Sequence, residues 1–310
     1  MAFQNVRQAL QTARKKLSRR ALHWRMRGQP EADILVAERK LRGVEQFDKL
    51  HRADVVIVSF GKSGRTWLRV MISHLFRVMY KFPENAILGF DNFHNLNRKV
   101  PKTFFTHDNY IKDFTGDFDT KAPFYDKRVI LLARDPRDVA VSQFFQWKFR
   151  VKSTKIAINN YPPQGSDISL FDFVMGDNGG SMQAVTDYLN LWAREVDKME
   201  CFHLLRYEDL RARPREELRR MLDFMQVDAT ETQVNAAVDY SSYENMKKME
   251  GSQQLRLAGG RMMPRDKDNP DSFKVRRAKV GGYRDYFTDE EVATIDARLA
   301  DTLAPLFNYK

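Results

Sequence analysis

The feature that most constrains the fold is a run of β-branched residues followed by a loop with two glycines. Residues 54–60 read Asp-Val-Val-Ile-Val-Ser-Phe, a continuous run typical of a strand buried on both faces of a sheet. The loop 61–67 follows, and apolar residues then recur every three or four positions, which predicts a helix at about 66–80. A strand joined to a helix by a short loop is the repeating unit of parallel α/β sheets.

The same unit occurs twice more along the chain. Residues 128–133 and 201–207 predict two further buried strands, and a helical pattern follows each of them. The aromatic run 102–107 predicts another strand or a loop edge, and the polar segments 151–170 and 250–280 predict long binding loops. Strands alternating with helices predict an α/β protein: a three-layer, P-loop-like fold with a mainly parallel central sheet flanked by helices.

The N-terminal residues differ from the rest of the chain in charge. The chain has 52 Lys and Arg against 41 Asp and Glu, a formal net charge of +11. Eight of the basic residues and none of the acidic ones lie in residues 1–28. We predict a basic amphipathic helix there, an appendage over residues 1–30, and one folded domain over residues 31–310. The predicted apolar face of that helix comprises Phe3, Val6, Leu10, Ala13, Leu17, Ala21 and Trp24.

Composition excludes several classes of protein. The single cysteine, Cys201, can form neither an internal disulfide nor a cysteine-based zinc site. No stretch reaches the roughly 20 apolar residues of a membrane span, and the N-terminus lacks the apolar core of a secretory signal. We expect no metal, and we expect a cytoplasmic location.

The loop 61–67, Gly-Lys-Ser-Gly-Arg-Thr-Trp, carries the functional argument. A strand–loop–helix junction directs free backbone N–H groups and a helix N-terminus at one place, which makes an anion site. Gly61 and Gly64 allow a ligand to approach the backbone, and Lys62 adds a cation. The Walker loop of nucleoside triphosphatases needs a glycine at position 56, where this chain has Val. The loop predicts an enzyme that binds a phosphorylated nucleotide.

Five motifs resemble, in the same order, those of the 3′-phosphoadenylyl-sulfate (PAPS) dependent sulfotransferases. The loop 61–67 resembles the family's Pro-Lys-Ser-Gly-Thr-Thr-Trp, with Arg65 in place of a Thr. The other four are Arg134-Asp-Pro-Arg-Asp-Val-Ala-Val-Ser142, Tyr207-Glu-Asp-Leu210, Ser241-Ser-Tyr-Glu-Asn-Met246 and Arg276-Arg-Ala-Lys-Val-Gly-Gly-Tyr-Arg-Asp-Tyr-Phe-Thr288. The resemblance covers about residues 52–300. It implies sulfuryl transfer from PAPS to a hydroxyl, with an amine as the less favoured acceptor.

The resemblance implies a role for each matching residue. Lys62 would be a catalytic cation that neutralises the leaving 5′-phosphate of the donor. The groups around the same phosphate would be Ser63, Gly64, Arg65 and Thr66. The 3′-phosphate would be held by Arg134, Ser142, Arg276 and Arg277, with Ala278 where the family has Gly. Adenine would lie against Trp67, Tyr207 and Tyr243, with Ser241 beside them.

The resemblance also implies a general base. His107, in Phe104-Phe-Thr-His-Asp108, resembles the family's catalytic His and would accept the proton of the acceptor hydroxyl. Phe105 stands where many members have Lys, which removes a second cation beside the sulfuryl group. His94 is the alternative base.

Alternatives remain for the function and the acceptor. A P-loop-type nucleotide kinase would use a similar loop, and a nucleic-acid-binding protein would fit the pI near 9.6, although no nucleic-acid partner is expected.

The expected acceptor is a small molecule, or a lipid or glycan, and the candidate walls of its pocket are Phe144, Phe145, Trp147 and Phe149. Residues 1–28 could lie on an anionic membrane surface, which would suit a lipid or glycolipid acceptor. The alternatives for residues 1–28 are a transit peptide, an oligomer contact or a loose tail. The oligomeric state of the protein stays open.

Overall fold

The structure is a computed structural model that describes residues 2–251, 266 and 269–309. Side chains are described from residue 13 onward, except those of residues 154 and 270. The side chains of Phe3, Val6 and Leu10 therefore lie outside the described part, as does much of the predicted loop 250–280.

The centre of the molecule is a parallel sheet in the order β2-β1-β3-β4. The strands are β1 (Val55–Val58), β2 (Thr103–Thr106), β3 (Arg128–Ala133) and β4 (Cys201–Arg206). Val56 of β1 pairs with Phe104 on one side and with Val129 on the other. All four residues of β1 are buried, as expected for a central strand with both faces covered.

Helices surround this sheet in the described part of the chain. They are α1 (Ala2–Arg25), α2 (Glu31–His51), α3 (Arg65–Tyr80), α4 (Asn92–Leu96), α5 (Ile111–Thr115), α6 (Pro136–Arg150), α7 (Leu170–Met175), α8 (Met182–Glu195), α9 (Tyr207–Ala212), α10 (Pro214–Phe224), α11 (Glu231–Tyr240), α12 (Tyr243–Gly251) and α13 (Asp289–Thr302). Short 3₁₀ turns occur at Ala122–Phe124, Ser153–Lys155, Ala157–Asn159, Val196–Lys198, Pro270–Ser272, Gly282–Tyr286 and Pro305–Phe307. None of these helices combines the length and the apolar character that a membrane span requires.

The two faces of the sheet pack against different helices. Val56 and Val58 belong to a cluster with α6, α8 and α13, whereas Val55 and Ile57 belong to a cluster with α3, α10 and α11. Alternate residues of one strand thus enter opposite cores, as the two-residue period of a strand requires. The predicted three-layer α/β fold is confirmed.

The carboxyl ends of the four parallel strands lie at the same edge of the sheet. The loop 61–67 follows β1, His107 follows β2, Arg134 follows β3 and Tyr207 follows β4. Crevices at this edge are the usual ligand sites of open α/β sheets. The fold therefore brings together four groups that are far apart in the sequence.

Helix α1 packs alongside α2. Lys15 and Arg19 lie 3.0 and 3.2 Å from a carboxylate oxygen of Glu45, and His23 lies 3.1 Å from Glu38. The basic side chains of α1 thus turn partly toward the domain.

Candidate active site

The loop 61–67 has the backbone that an anion cradle needs. Lys62 and Gly64 have φ angles of 71° and 95°, both left-handed, and α3 begins at Arg65. A Cβ on Gly61 would lie 2.5 Å from Nε2 of Gln143, and one on Gly64 would lie 2.6 Å from the Tyr207 ring. Gly64 is therefore required by its backbone and by close packing, whereas a side chain at position 61 would displace the Gln143 amide. The first N–H groups of a helix such as α3 have no partner within the helix and suit an anion.

Four cations converge behind this loop. The pKa of Lys62 is lowered to about 7, by burial and then by the charges of Arg150, Arg276 and Arg134. Such a concentration of positive charge is unfavourable by itself and becomes favourable when a multiply charged anion binds. Arg150, at the end of α6, is a member that the motifs do not predict. Its guanidinium lies 3.7 Å from Glu250, a fully buried carboxylate.

Arg134 is fixed beside the loop. Its guanidinium donates to the carbonyl of Lys62 at 3.1 Å and lies 4.4 Å from the centre of the Tyr207 ring. It also reaches the buried Asp138 at 3.4 Å. Ser142, two turns along α6, lines the same cleft. The predicted pair Arg134 and Ser142 is therefore brought together with Lys62.

The segment 274–286 closes the cleft from the other side. Arg276 stacks on Phe145, with its guanidinium carbon 3.7 Å from the ring centre, and contacts the hydroxyl of Tyr286. Arg277 is different, because it pairs with Asp285 at 3.0 Å and its side chain is half exposed. The structure thus directs Arg276 toward Lys62, whereas Arg277 lies at the rim.

A buried carboxylate anchors this segment. Glu250 accepts hydrogen bonds from the backbone N–H groups of Lys274 at 2.6 Å and Val275 at 2.8 Å. Ala278, three residues on, has a φ of 51°, in the region that glycine occupies most easily. This explains physically why a Gly is suited to the position.

Aromatic side chains form one end of the cleft. Trp67 and Tyr207 meet edge to face, with ring centres 5.7 Å apart. The Trp67 indole donates to the carbonyl of Ser241 at 2.8 Å, and the Tyr243 hydroxyl donates to the carbonyl of Arg276 at 3.1 Å. The three rings line the cleft, and their role in an adenine site stays a prediction.

Two predicted serines do not line the cleft with their side chains. Ser63 is 2% exposed and Ser241 is fully buried. The Ser241 hydroxyl donates to the carbonyls of Ala237 at 2.9 Å and Val238 at 3.1 Å at the end of α11. Ser241 thus reaches the site through its backbone carbonyl, which positions Trp67.

His107 has the geometry of a neutral base. Its Nδ1 lies 2.7 Å from the carbonyl of Ser59, so Nδ1–H donates and Nε2 keeps its lone pair. The pKa of His107 is well below its ordinary value, because of burial and then the charge of Arg65. Nη2 of Arg65 lies 2.5 Å from His107 Nε2 and donates to that lone pair. Arg65 thus occupies the atom that would accept a proton.

Cations from other segments take the place of the Lys that many family members have where this chain has Phe105. Phe105 packs under the guanidinium of Arg69, 4.0 Å from its ring centre. The charges of Lys274 and Arg69 act with Arg65 to lower the pKa of His107. The part of the cleft around His107 therefore remains positively charged, although the residue at 105 is apolar.

Other candidates take structural positions. His94 lies 2.8 Å from the carbonyl of Val100 and does not line the cleft. Phe144 and Trp147 are in the core, with 6% and 4% exposure, whereas Phe145 lines the cleft. No cluster of three His, Cys, Asp or Glu suited to a metal occurs among the residues described.

The cleft has a volume of about 1410 Å³ and extends well beyond the cations around Lys62. Pockets for one small ligand measure about 300–1,000 Å³. The cleft therefore has room for a nucleotide and a second substrate. Its far part is lined by residues of α1, α2 and the segment 152–161.

Comparisons with known proteins agree with this site. A family model described as the sulfotransferase domain matches residues 52–306. Cytosolic sulfotransferase 14 of Arabidopsis thaliana is 24% identical over 302 residues, which cover 86% of this chain and 80% of that protein. Sulfotransferase 6B1 of Homo sapiens is 23% identical over 292 residues, covering 91% of this chain and 86% of that protein.

Solved structures share the fold. A mouse sulfotransferase complexed with PAP has a TM-score of 0.51 at 17% identity, over 81% of this chain and 84% of its own. Retinol dehydratase in complex with retinol and PAP has a TM-score of 0.52 at 18% identity, over 84% of this chain and 85% of its own.

Fold and site together define a group-transfer enzyme with an anion cradle at the carboxyl edge of a parallel sheet. The chain belongs to the sulfotransferase family. This confirms the class predicted from the five motifs, a PAPS-dependent sulfotransferase, over the kinase and nucleic-acid alternatives.

Proposed function

We propose that this enzyme transfers a sulfuryl group from PAPS to a hydroxyl of its acceptor, with an amine as the less favoured acceptor. The observation that carries the proposal is the convergence of Lys62, Arg134 and Arg276 on a cleft that also contains the neutral imidazole of His107. PAPS carries two separate anionic groups on one adenosine. A cleft that joins several cations to an aromatic end suits such a donor.

In the proposed reaction, His107 Nε2 accepts the proton of the acceptor hydroxyl. The acceptor oxygen forms a bond to sulfur while the bond between sulfur and the 5′-phosphate oxygen breaks. The transition state is loose, so the protein acts chiefly by positioning and by stabilising charge. Lys62 and the N-terminus of α3 stabilise the leaving 5′-phosphate. The products are the sulfated acceptor and adenosine 3′,5′-bisphosphate (PAP).

The other donor contacts follow the motifs. We propose Arg134, Ser142 and Arg276 as ligands of the 3′-phosphate, with Arg277 closing from the rim. Ser63, Gly64, Arg65 and Thr66 contribute through the backbone or side chain to the 5′ end. Trp67, Tyr207 and Tyr243 enclose adenine, and Ser241 and Ala278 shape the walls behind them.

The N-terminal helix suggests where the acceptor is met. Leu17 and Trp24 lie on the predicted apolar face and are 63% and 68% exposed. We propose a cytoplasmic enzyme whose α1 contacts a membrane surface, which would suit a lipid or glycolipid acceptor. This proposal is independent of the donor chemistry.

Two measurements test the donor and the base. In thermal shift assays, PAP should raise the melting temperature, whereas ATP–Mg and duplex DNA should not. The variant His107→Ala should lose about 10²–10⁴-fold in sulfuryl transfer, the usual contribution of a general base, and keep its affinity for PAP by calorimetry. Stabilisation by ATP–Mg alone would overturn the donor assignment, and normal turnover by His107→Ala would overturn the base.

A further inference from the structure

We propose that the acceptor carries an anionic group, a phosphate, sulfate or carboxylate, which binds a second cation cluster at the far end of the cleft. This inference rests on the proposed function, because it concerns the acceptor of the same reaction. The outer cation cluster comprises Lys15, Arg19, Arg42, Lys152 and Lys155, and all five residues line the cleft.

The outer cation cluster is distinct from the cations of the donor site. Its members lie on α1, α2 and the segment after α6, whereas Lys62, Arg134 and Arg276 lie on the loop 61–67, after β3 and on the segment 274–286. The two sets share no member. An anion in the outer cluster would therefore belong to a ligand other than the donor.

Hydrogen bonds of Arg39 tie together the elements that carry the cluster. Arg39 of α2 donates to both carboxylate oxygens of Asp113, at 2.9 and 3.0 Å, and to the carbonyls of Ile158 at 2.6 Å and Asn109 at 3.1 Å. These bonds fix the segment around 158 against α2 and α5. Asn109 is two residues from His107, so the same bonds connect the wall that carries the cluster to the segment that carries the base.

The carboxylates within the cluster leave positive charge in excess. Lys15 and Arg19 share one carboxylate, Glu45, and Arg42 pairs with Glu38 at 3.0 Å. Lys152 and Lys155 form no salt bridge within the described part of the chain, and Lys155 feels Glu38, the partner of Arg42, only at longer range. Five cations thus face two carboxylates in one wall of the cleft.

The crowding of cations inside the cluster affects Lys155. The pKa of Lys155 is lowered, first by partial desolvation among its neighbours, although the residue stays solvent-exposed, and then by the charges of Arg42, Arg19 and Lys152; Glu38 acts in the opposite direction. Cations held this close without enough carboxylates are stabilised when an anion binds. A neutral acceptor would leave this repulsion in place, whereas an anionic acceptor removes it and is oriented by it toward His107.

The first test needs no knowledge of the acceptor. Calorimetry on the full-length protein first measures PAP binding, and pyrophosphate is then titrated with PAP saturating. We expect pyrophosphate to bind as well, and to bind about tenfold more weakly to the double variant K152A/K155A, which loses two charged donors. Both lysines are exposed, so folding should be retained.

The matched control is R98A/K99A, which removes two exposed cations that do not line the cleft. It should bind pyrophosphate like the wild type. Absence of pyrophosphate binding, or equal binding by K152A/K155A, would overturn the inference. Failure of the wild type to bind PAP would instead overturn the proposed donor.

A second test distinguishes the sources of the anion. Sulfate transfer from labelled PAPS is compared between glucose 6-phosphate and glucose, and between vesicles of phosphatidylglycerol and of monogalactosyl diacylglycerol. Faster sulfation of glucose 6-phosphate than of glucose would point to a free phosphate as the anion. A preference seen only between the vesicles, for phosphatidylglycerol, would point to a lipid headgroup. K152A/K155A should lose the preference through a higher KM. The inference would be contradicted by equal rates within both pairs, or by a preference that K152A/K155A keeps. If none of the four acceptors is sulfated, the pyrophosphate titration decides whether the inference stands.

Discussion

At the scale of single residues, Lys62 combines an unusual backbone with an unusual charge. Its φ of 71° is rarely adopted by residues with a side chain, and its pKa is lowered to about 7. Backbone strain and repulsion between the neighbouring cations both raise the free energy of the site when no ligand is bound. Both are typical of a site whose stabilisation comes from its ligand.

The lowered pKa of Lys62 predicts proton uptake when PAP binds. At pH 8 the free lysine is mostly neutral, and the bound phosphate raises its pKa, so the complex should take up about one proton. Affinity for PAP should accordingly fall as the pH rises above 7. Calorimetry in buffers of different ionisation enthalpy measures this number. Lys62→Arg is the control, since a guanidinium stays charged, and equal uptake by both proteins would contradict the prediction.

Arg65 is the residue whose role the motifs leave open, and its contact with His107 suggests one. Because Arg65 Nη2 donates to the lone pair of His107, it must leave that atom before a proton can be transferred. We expect it to turn to the sulfuryl oxygens when the donor binds.

The variant Arg65→Thr tests this positioning role. The pKa of His107 should rise, because a cation that lowers it is lost, and kcat should fall about tenfold while PAP affinity changes little. NMR titration of the imidazole measures the pKa. Arg65→Lys keeps the charge and should keep the low pKa. An unchanged His107 pKa in Arg65→Thr would rule out the electrostatic part of this role.

At the scale of elements, the segment 274–286 depends on one backbone conformation. Ala278 has left-handed φ, which costs about 1–2 kcal/mol for a residue with a side chain and more for a β-branched one. Ala278→Val should therefore displace Arg276 and weaken PAP binding about tenfold, whereas Ala278→Gly should bind at least as well as the wild type. Calorimetry compares the two, and wild-type affinity in Ala278→Val would contradict the argument.

The elements also show how far sequence reasoning reaches. The predicted strand at 128–133 is confirmed residue for residue, and the helix predicted at about 66–80 begins one residue earlier. These elements follow from local periodicity and from glycine and proline. Arg150 and Glu250 carry no local signal, because Arg150 acts through its contact with Glu250, 100 residues away, and Glu250 through the backbone of Lys274 and Val275.

At the scale of the whole molecule, α1 is joined to the domain by ion pairs and leaves Leu17 and Trp24 exposed. Flotation with anionic liposomes should carry the full-length protein upward and leave a 29–310 chain behind, because the basic and apolar groups of α1 are gone. The variant L17E/W24E keeps Lys15, Arg19 and their partner Glu45 and should also stay behind. Equal flotation of all three proteins would remove the membrane proposal.

The sequence alone determined the fold class, the parallel sheet and the membership of a sulfotransferase family, because strand period, glycine positions and motif order are local properties of the chain. Through the resemblance, it also pointed to Lys62, His107 and Arg134 as members of one site. Only the tertiary structure decided which of the predicted groups face the cleft. It turned the Ser241 hydroxyl into α11, set Arg65 against His107 and brought α1 to the far wall. Those outcomes depend on packing between distant segments, which no local pattern encodes.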